Sequence, residues 1–170
     1  MRVDYNRQFP AARDAMLGLE KAVHSSSLEL LLLELVKIRA SQLNGCAHCL
    51  EMHTKDARAL GEDDDRMHLV ATWREAPCFS ERERAALQWC ESLTLLPQSG
   101  APDEVFVDVA AVFSAEEIVA LTLAIVAING WNRFAVGLQA PVGNYTPSAL
   151  TGRQRPDRSS SRLAENRGTM

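Results

Sequence analysis

Apolar residues recur along most of this chain at the three-and-four spacing of a helix, and no run of alternating apolar and polar residues is flanked by hairpin turns. The pattern predicts an all-α fold of about seven helices, read from start and stop signals. After a short lead, Pro10 opens a helix to about His24, with Met16, Leu17, Leu19 and Val23 on its apolar side. Ser26 stands three residues before Glu29, a capping-box spacing, and predicts a helix running to about Leu43 and ending at Asn44-Gly45. Leu30 to Leu33, Leu35, Val36 and Ile38 surround most of that helix, so it should be buried on more than one side or meet another subunit. The next helix starts at or near Cys46 and stops at Gly61. Glu62 to Asp65 place four acids at the head of a helix that ends before Pro77. Ser80/Glu83 and Ser114/Glu117 repeat the capping box. The first opens a helix that Pro97 closes, and the second a long apolar helix to about Gln139. Between them a short helix runs from Ala101-Pro102-Asp103 to near Phe113.

With 170 residues, 46% hydrophobic and 24% charged, one globular domain over residues 1–150 is expected. Residues 151–170 have almost nothing to bury and are expected to be a disordered tail. The longest stretch free of charge and amide, Ile118 to Ile128, is well short of the roughly 20 residues that span a bilayer. No membrane span is therefore expected, and with no secretory signal at Met1 to Asn6 the expected location is the cytoplasm. The net charge of −4 divides into +3 on the tail and −7 on the body. An acidic body, and a basic tail without interleaved aromatics, argue against a nucleic-acid partner.

Four cysteines in a chain without an export signal fit a disulfide framework poorly. Cys46-Ala47-His48-Cys49 instead points to redox chemistry or to metal. On a helix starting at Cys46, Cys46, Cys49, Leu50, His53, Ala57 and Leu60 form one stripe, while His48 falls roughly opposite, beside Lys55. Unpaired N–H groups at a helix start stabilise a thiolate, and a neighbouring imidazole can take its proton. Such a pair can attack a peroxide and close to a disulfide that an external dithiol resets, with no cofactor. Zinc held by Cys46, Cys49, His53 and a fourth ligand, a purely structural pair, and a non-enzymatic oligomeric interaction or stress protein are the alternatives.

Glu34 lies twelve residues before Cys46 in an otherwise apolar helix. It either serves the cysteine–histidine pair as a proton relay or forms an i,i+3 ion pair with Lys37, and the residues alone slightly favour the ion pair. Cys78 and Cys90 read as packing residues, and His24 and His68 as surface or capping residues. Trp131, Asn132 and Arg133, interrupting an apolar helix, read as pocket wall and subunit interface together.

The run Glu34-Leu-Val-Lys-Ile-Arg-Ala-Ser-Gln-Leu-Asn-Gly-Cys-Ala-His-Cys-Leu-Glu-Met-His53 resembles the core motif of the alkylhydroperoxidase D (AhpD)-like branch of the carboxymuconolactone decarboxylase family. Ile128-Asn-Gly-Trp131-Asn-Arg133 is also similar to family sequence, so the resemblance covers most of residues 10 to 145. It implies a helical homo-oligomer, often a trimer or hexamer, with alkylhydroperoxidase or disulfide reductase activity, acting on a hydroperoxide or passing reducing equivalents by thiol–disulfide exchange, with a thiol reductant or redox partner protein. By position it implies an active site of Glu34, Cys46, His48, Cys49 and His53, with Cys49 peroxidatic and Cys46 resolving. The founding decarboxylases lack the paired cysteines, so their lactone chemistry does not carry over.

Overall fold

The computed structural model describes residues 1–147; the expected tail over 151–170 lies outside the described residues. Nine α-helices and no strand occur among the described residues: α1 Tyr5–Gln8, α2 Pro10–His24, α3 Leu30–Leu43, α4 Ala47–Ala59, α5 Asp64–Leu69, α6 Glu81–Thr94, α7 Leu96–Ser99, α8 Asp103–Val112 and α9 Ala115–Leu138. The seven expected segments are present, and single-turn helices account for the excess. Asp4 caps α1 by accepting from the N–H groups of Asn6 and Arg7. Pro97 does not simply close a helix: α6 ends at Thr94, and the proline sits in the first turn of α7, where it has no N–H to lose.

Helix α3 is the axis of the molecule, packed against α4, α6 and α9. Leu32, Leu33, Val36 and Ala40 enter one apolar cluster with Ala86, Leu121, Ile125 and Ile128, whereas Leu35 and Ile38 enter a second with Met67, Val70, Trp73 and Leu87. That two-sided burial explains why its sequence is apolar nearly all round. Burying a leucine-sized side chain contributes roughly 1.5–3 kcal/mol, so the leucines buried along this helix add substantially to both clusters.

The capping boxes at Ser80/Glu83 and Ser114/Glu117 both form. The one expected at Ser26 does not. The Ser26 hydroxyl donates to the Val23 carbonyl at the end of α2, and Glu29 is drawn to the Arg82 guanidinium at 3.0 Å, so α3 starts at Leu30 without a side-chain cap. The helix expected to run from the Glu62 to Asp65 acids towards Pro77 is also shorter. Asp63 caps α5, Glu62 pairs with Arg66 at 2.9 Å, and the chain tightens into a 3₁₀ turn over Val70–Thr72. The carbonyls of Arg74, Ala76 and Phe79 then accept from Arg84, which replaces the helical bonds they lack.

Helix α9 is long and apolar enough to cross a membrane by length and composition. Here it packs on α2, α3, α4, α6 and α8, and its Asn132 is buried in a polar network inside the bundle. Asn44 donates to the side-chain oxygens of Asn129 and Asn132 at 3.0 and 2.9 Å, and Asn132 donates to Ser41 at 3.2 Å. These bonds pin the end of α3 to α9 just before Gly45, whose φ of +63° turns the chain into α4. Replacing Asn132 by Ala removes a partner from both Asn44 and Ser41, and should lower unfolding stability by roughly 2–3 kcal/mol in a denaturant titration.

Candidate active site

Cys46 is the N-cap of α4, and its sulfur accepts from the Cys49 N–H at 3.2 Å. The two sulfurs are joined as a disulfide, with 5.4 Å between Cα atoms. Cys49 and His53 lie four residues apart on the inward face of α4, as its periodicity predicts, and both line a cavity of about 550 Å³. Cys46 is buried beneath that surface and does not line the cavity.

Glu34 enters from α3. Its Oε2 lies 2.8 Å from His53 Nδ1, with both residues under a tenth exposed, at 7% and 9%. A carboxylate can only accept, so Nδ1–H donates and Nε2 is the ring nitrogen left free to take a proton. Burial is the largest influence on Glu34 and pushes its pKa up; the charge and hydrogen bond of His53, with help from Lys37 and His24, overcome it and hold the carboxyl below its ordinary value. The ion pair with Lys37 is the lesser contact. Lys37 Nζ is 3.9 Å from Glu34 and 2.9 Å from Glu20 of α2, its nearer partner.

His48 lies apart from this pair, as its position on the helix predicts. It borders the cavity, and its Nδ1 donates to the Pro141 carbonyl at 2.6 Å. That bond belongs to a strap after α9 that runs back along α4. Glu51 accepts from the Gly143 N–H at 2.6 Å, Lys55 donates to the Tyr145 carbonyl at 2.8 Å, and the Tyr145 hydroxyl donates to Asp56 at 2.8 and 2.9 Å.

The structure thus brings Glu34, Cys49 and His53 together with His48 at the rim, and adds Glu20, Lys37, Asp56 and Tyr145, which the motif alone did not mark. Asp56 carried a signal, standing three residues after His53 and so beside the stripe that holds it, where it is buried. His24, expected at the surface, is exposed but borders the cavity. Trp131 forms cavity wall as expected; Asn132 and Arg133 do not line it, because Asn132 turns into the α3–α9 network and Arg133 folds onto the Asn129 carbonyl. Cys90 is buried and Cys78 half-buried, consistent with packing. Burial pushes the Cys90 thiol up to about 12. Glu34, His53 and Asp56 hold donor atoms within 4.8 Å of one another, a set able in chemistry to hold a divalent cation, although Lys37 sets a positive charge beside it. The cysteine sulfurs, tied to each other, are not part of that set.

Residues 8–92 match the carboxymuconolactone decarboxylase family, and over 137 residues the chain is 40% identical to the uncharacterized protein YdfG of Bacillus subtilis (strain 168), covering 81% of this chain and 93% of YdfG. The chain belongs to this family. Among solved structures it is similar to ATU0492 from Agrobacterium tumefaciens, a protein of unknown function and candidate antioxidant defence protein AhpD, with 45% identity, a TM-score of 0.80, and coverage of 82% of this chain and 96% of that one. The debrominase Bmp8 shares the fold at 19% identity and a TM-score of 0.72, covering 79% of this chain and 73% of Bmp8. An AhpD-like family fold carrying a Cys46–Cys49 pair is consistent with an antioxidant role.

The depressed Glu34 carboxyl has a consequence for stability. A carboxyl whose folded pKa lies below its unfolded value of about 4.3 stabilises the fold above that value and loses the contribution as pH falls through the folded pKa. Glu34→Gln should therefore be less stable than wild type at pH 7, by roughly 1–3 kcal/mol, with the gap closing towards pH 3 in denaturant titrations at the two pH values.

Proposed function

We propose that the protein is a thiol-dependent peroxidase of the alkylhydroperoxidase type, and the observation that carries this is the joining of a Cys46–Cys49 pair to a cavity that also holds the Glu34–His53 pair. In the reduced protein, His53 Nε2 takes the Cys49 proton while Glu34 holds the ring and balances the imidazolium. The Cys49 thiolate attacks the terminal oxygen of a hydroperoxide, giving a sulfenic acid and an alcohol. Cys46 then displaces water from the sulfenic acid to close the disulfide.

An external dithiol, from a small molecule or a redox partner protein, attacks Cys49 from the cavity, and Cys46 leaves. The Cys49 N–H that points at the Cys46 sulfur stabilises a thiolate there, and a more stable leaving thiolate leaves faster. His48 contributes by fixing the strap at the cavity rim. A cycle reset by thiols suits a reducing compartment such as the cytoplasm. Val119 and Val126, two turns apart on α9 and exposed, offer a surface for the homo-oligomer, a trimer or hexamer, that we propose as the working assembly.

Intact mass spectrometry of the reduced protein with a stoichiometric organic hydroperoxide tests the chemistry. Loss of two hydrogens, mapped to Cys46–Cys49, is expected, and Cys46→Ser should instead yield a Cys49 sulfenic acid trapped by dimedone. Thiols that survive the peroxide untouched would overturn the proposal.

A further inference from the structure

Reducing a hydroperoxide needs two proton movements. One proton leaves the attacking thiol, and another must reach the departing oxygen, because an alkoxide is a poor leaving group in a largely apolar cavity. The Glu34–His53 pair serves the first. Resting on the peroxidase proposal above, we propose that Asp56, held by Tyr145, is the acid that delivers the second.

Asp56 follows His53 by one helical turn, is 8% exposed, and lines the same cavity as Cys49. Its donor atom lies within 4.8 Å of those of Glu34 and His53. It has no cationic partner among its hydrogen bonds in the described residues; both its oxygens face the Tyr145 hydroxyl. A buried carboxyl paired with a phenol rather than a base is more easily kept protonated than Glu34, which faces an imidazole. The groups around it are Glu34 and Lys37 from α3, His53 from α4 and Tyr145 from the strap, with Glu20 and His24 of α2 bordering the same cavity. Burial, the largest influence, and the nearby Glu34 charge raise Asp56 above its ordinary value, against the Tyr145 bond and the charges of His53 and Lys37. The two carboxyls of one site are thereby pushed in opposite directions, Glu34 towards base and Asp56 towards acid. Tyr145 itself is shifted upward by burial and by Asp56, so it remains a phenol and orients the acid rather than acting as one.

The Cys49 sulfur forms a bond to the terminal oxygen of ROOH, the O–O bond breaks, and its electron pair leaves on RO. The Asp56 proton then joins that oxygen to give ROH. Asp56 regains a proton from solvent, which receives the one taken from the Cys49 thiol.

The test compares oxidants that differ in their need for that proton. Cumene hydroperoxide expels an alkoxide, whereas peracetic acid expels acetate, which is stable without protonation. Oxidation of Cys49 in reduced wild type, Asp56→Asn and Tyr145→Phe is followed by rapid quench and mass spectrometry. Asp56→Asn should slow the cumene hydroperoxide reaction about 10²-fold and the peracetic acid reaction less than about 3-fold. An ionised Asp56 disfavours the folded state, so Asp56→Asn should melt no earlier than wild type, which separates lost chemistry from lost fold. In Tyr145→Phe the bond that lowers Asp56 is gone, so the alkaline limb of the cumene hydroperoxide rate should move to higher pH. Equal slowing with both oxidants, no slowing, or an unmoved limb would overturn the role of Asp56 while wild-type reactivity stands. A wild type inert to cumene hydroperoxide would instead overturn the peroxidase proposal, and this one with it.

Discussion

The hydrogen bond between Glu34 and His53 joins the apolar axis of the bundle to the helix that carries the cysteines. A carboxylate placed among Leu33, Leu35 and Ile38 is costly to bury unless it is paired and hydrogen-bonded. His53 supplies the hydrogen bond, and Lys37, itself held by Glu20, supplies charge without capturing the carboxylate. The pairing sets the rotation of α4 against α3, since the stripe that presents His53 also presents Cys49. Once that face is fixed, Cys46 falls at the N-cap and Cys49 at the cavity.

Burial does two jobs in this arrangement. It raises the cost of leaving a charge unpaired in the cavity, and it separates chemically similar groups by their neighbours. Glu34 faces an imidazole and is held low, while Asp56 faces a phenol and another carboxyl and is held high. The strap after α9 matters for the same reason. By bonding to His48, Glu51, Lys55 and Asp56 along α4, it forms part of the cavity wall and brings the phenol to Asp56.

Local rules made much of this legible from residues alone. The stripe on α4, the glycine turns, the two capping boxes that form and the double-sided burial of α3 depend on neighbours within a few positions. What escaped depends on distant competitors. The Ser26 box fails because Arg82, 53 residues from Glu29, takes its carboxylate. Lys37 prefers Glu20, 17 residues back, over its helical neighbour Glu34. Tyr145 reaches Asp56 across 89 residues through a strap with no periodic pattern of its own. The Glu34–His53 bond was one of two readings the residues left open, with the i,i+3 ion pair to Lys37 slightly favoured, and only the resemblance to the family motif turned that weighting.

The claim at the centre is that the Glu34–His53 pair draws the proton from Cys49. The direct measurement is the pH dependence of the alkylation rate of Cys49 by iodoacetamide in Cys46→Ser, with and without Glu34→Gln. The account predicts a thiol titrating clearly below the ordinary value of about 8.5, shifted upward by at least about one unit when Glu34 is replaced. A Cys49 that titrates near the ordinary value in both proteins would contradict it.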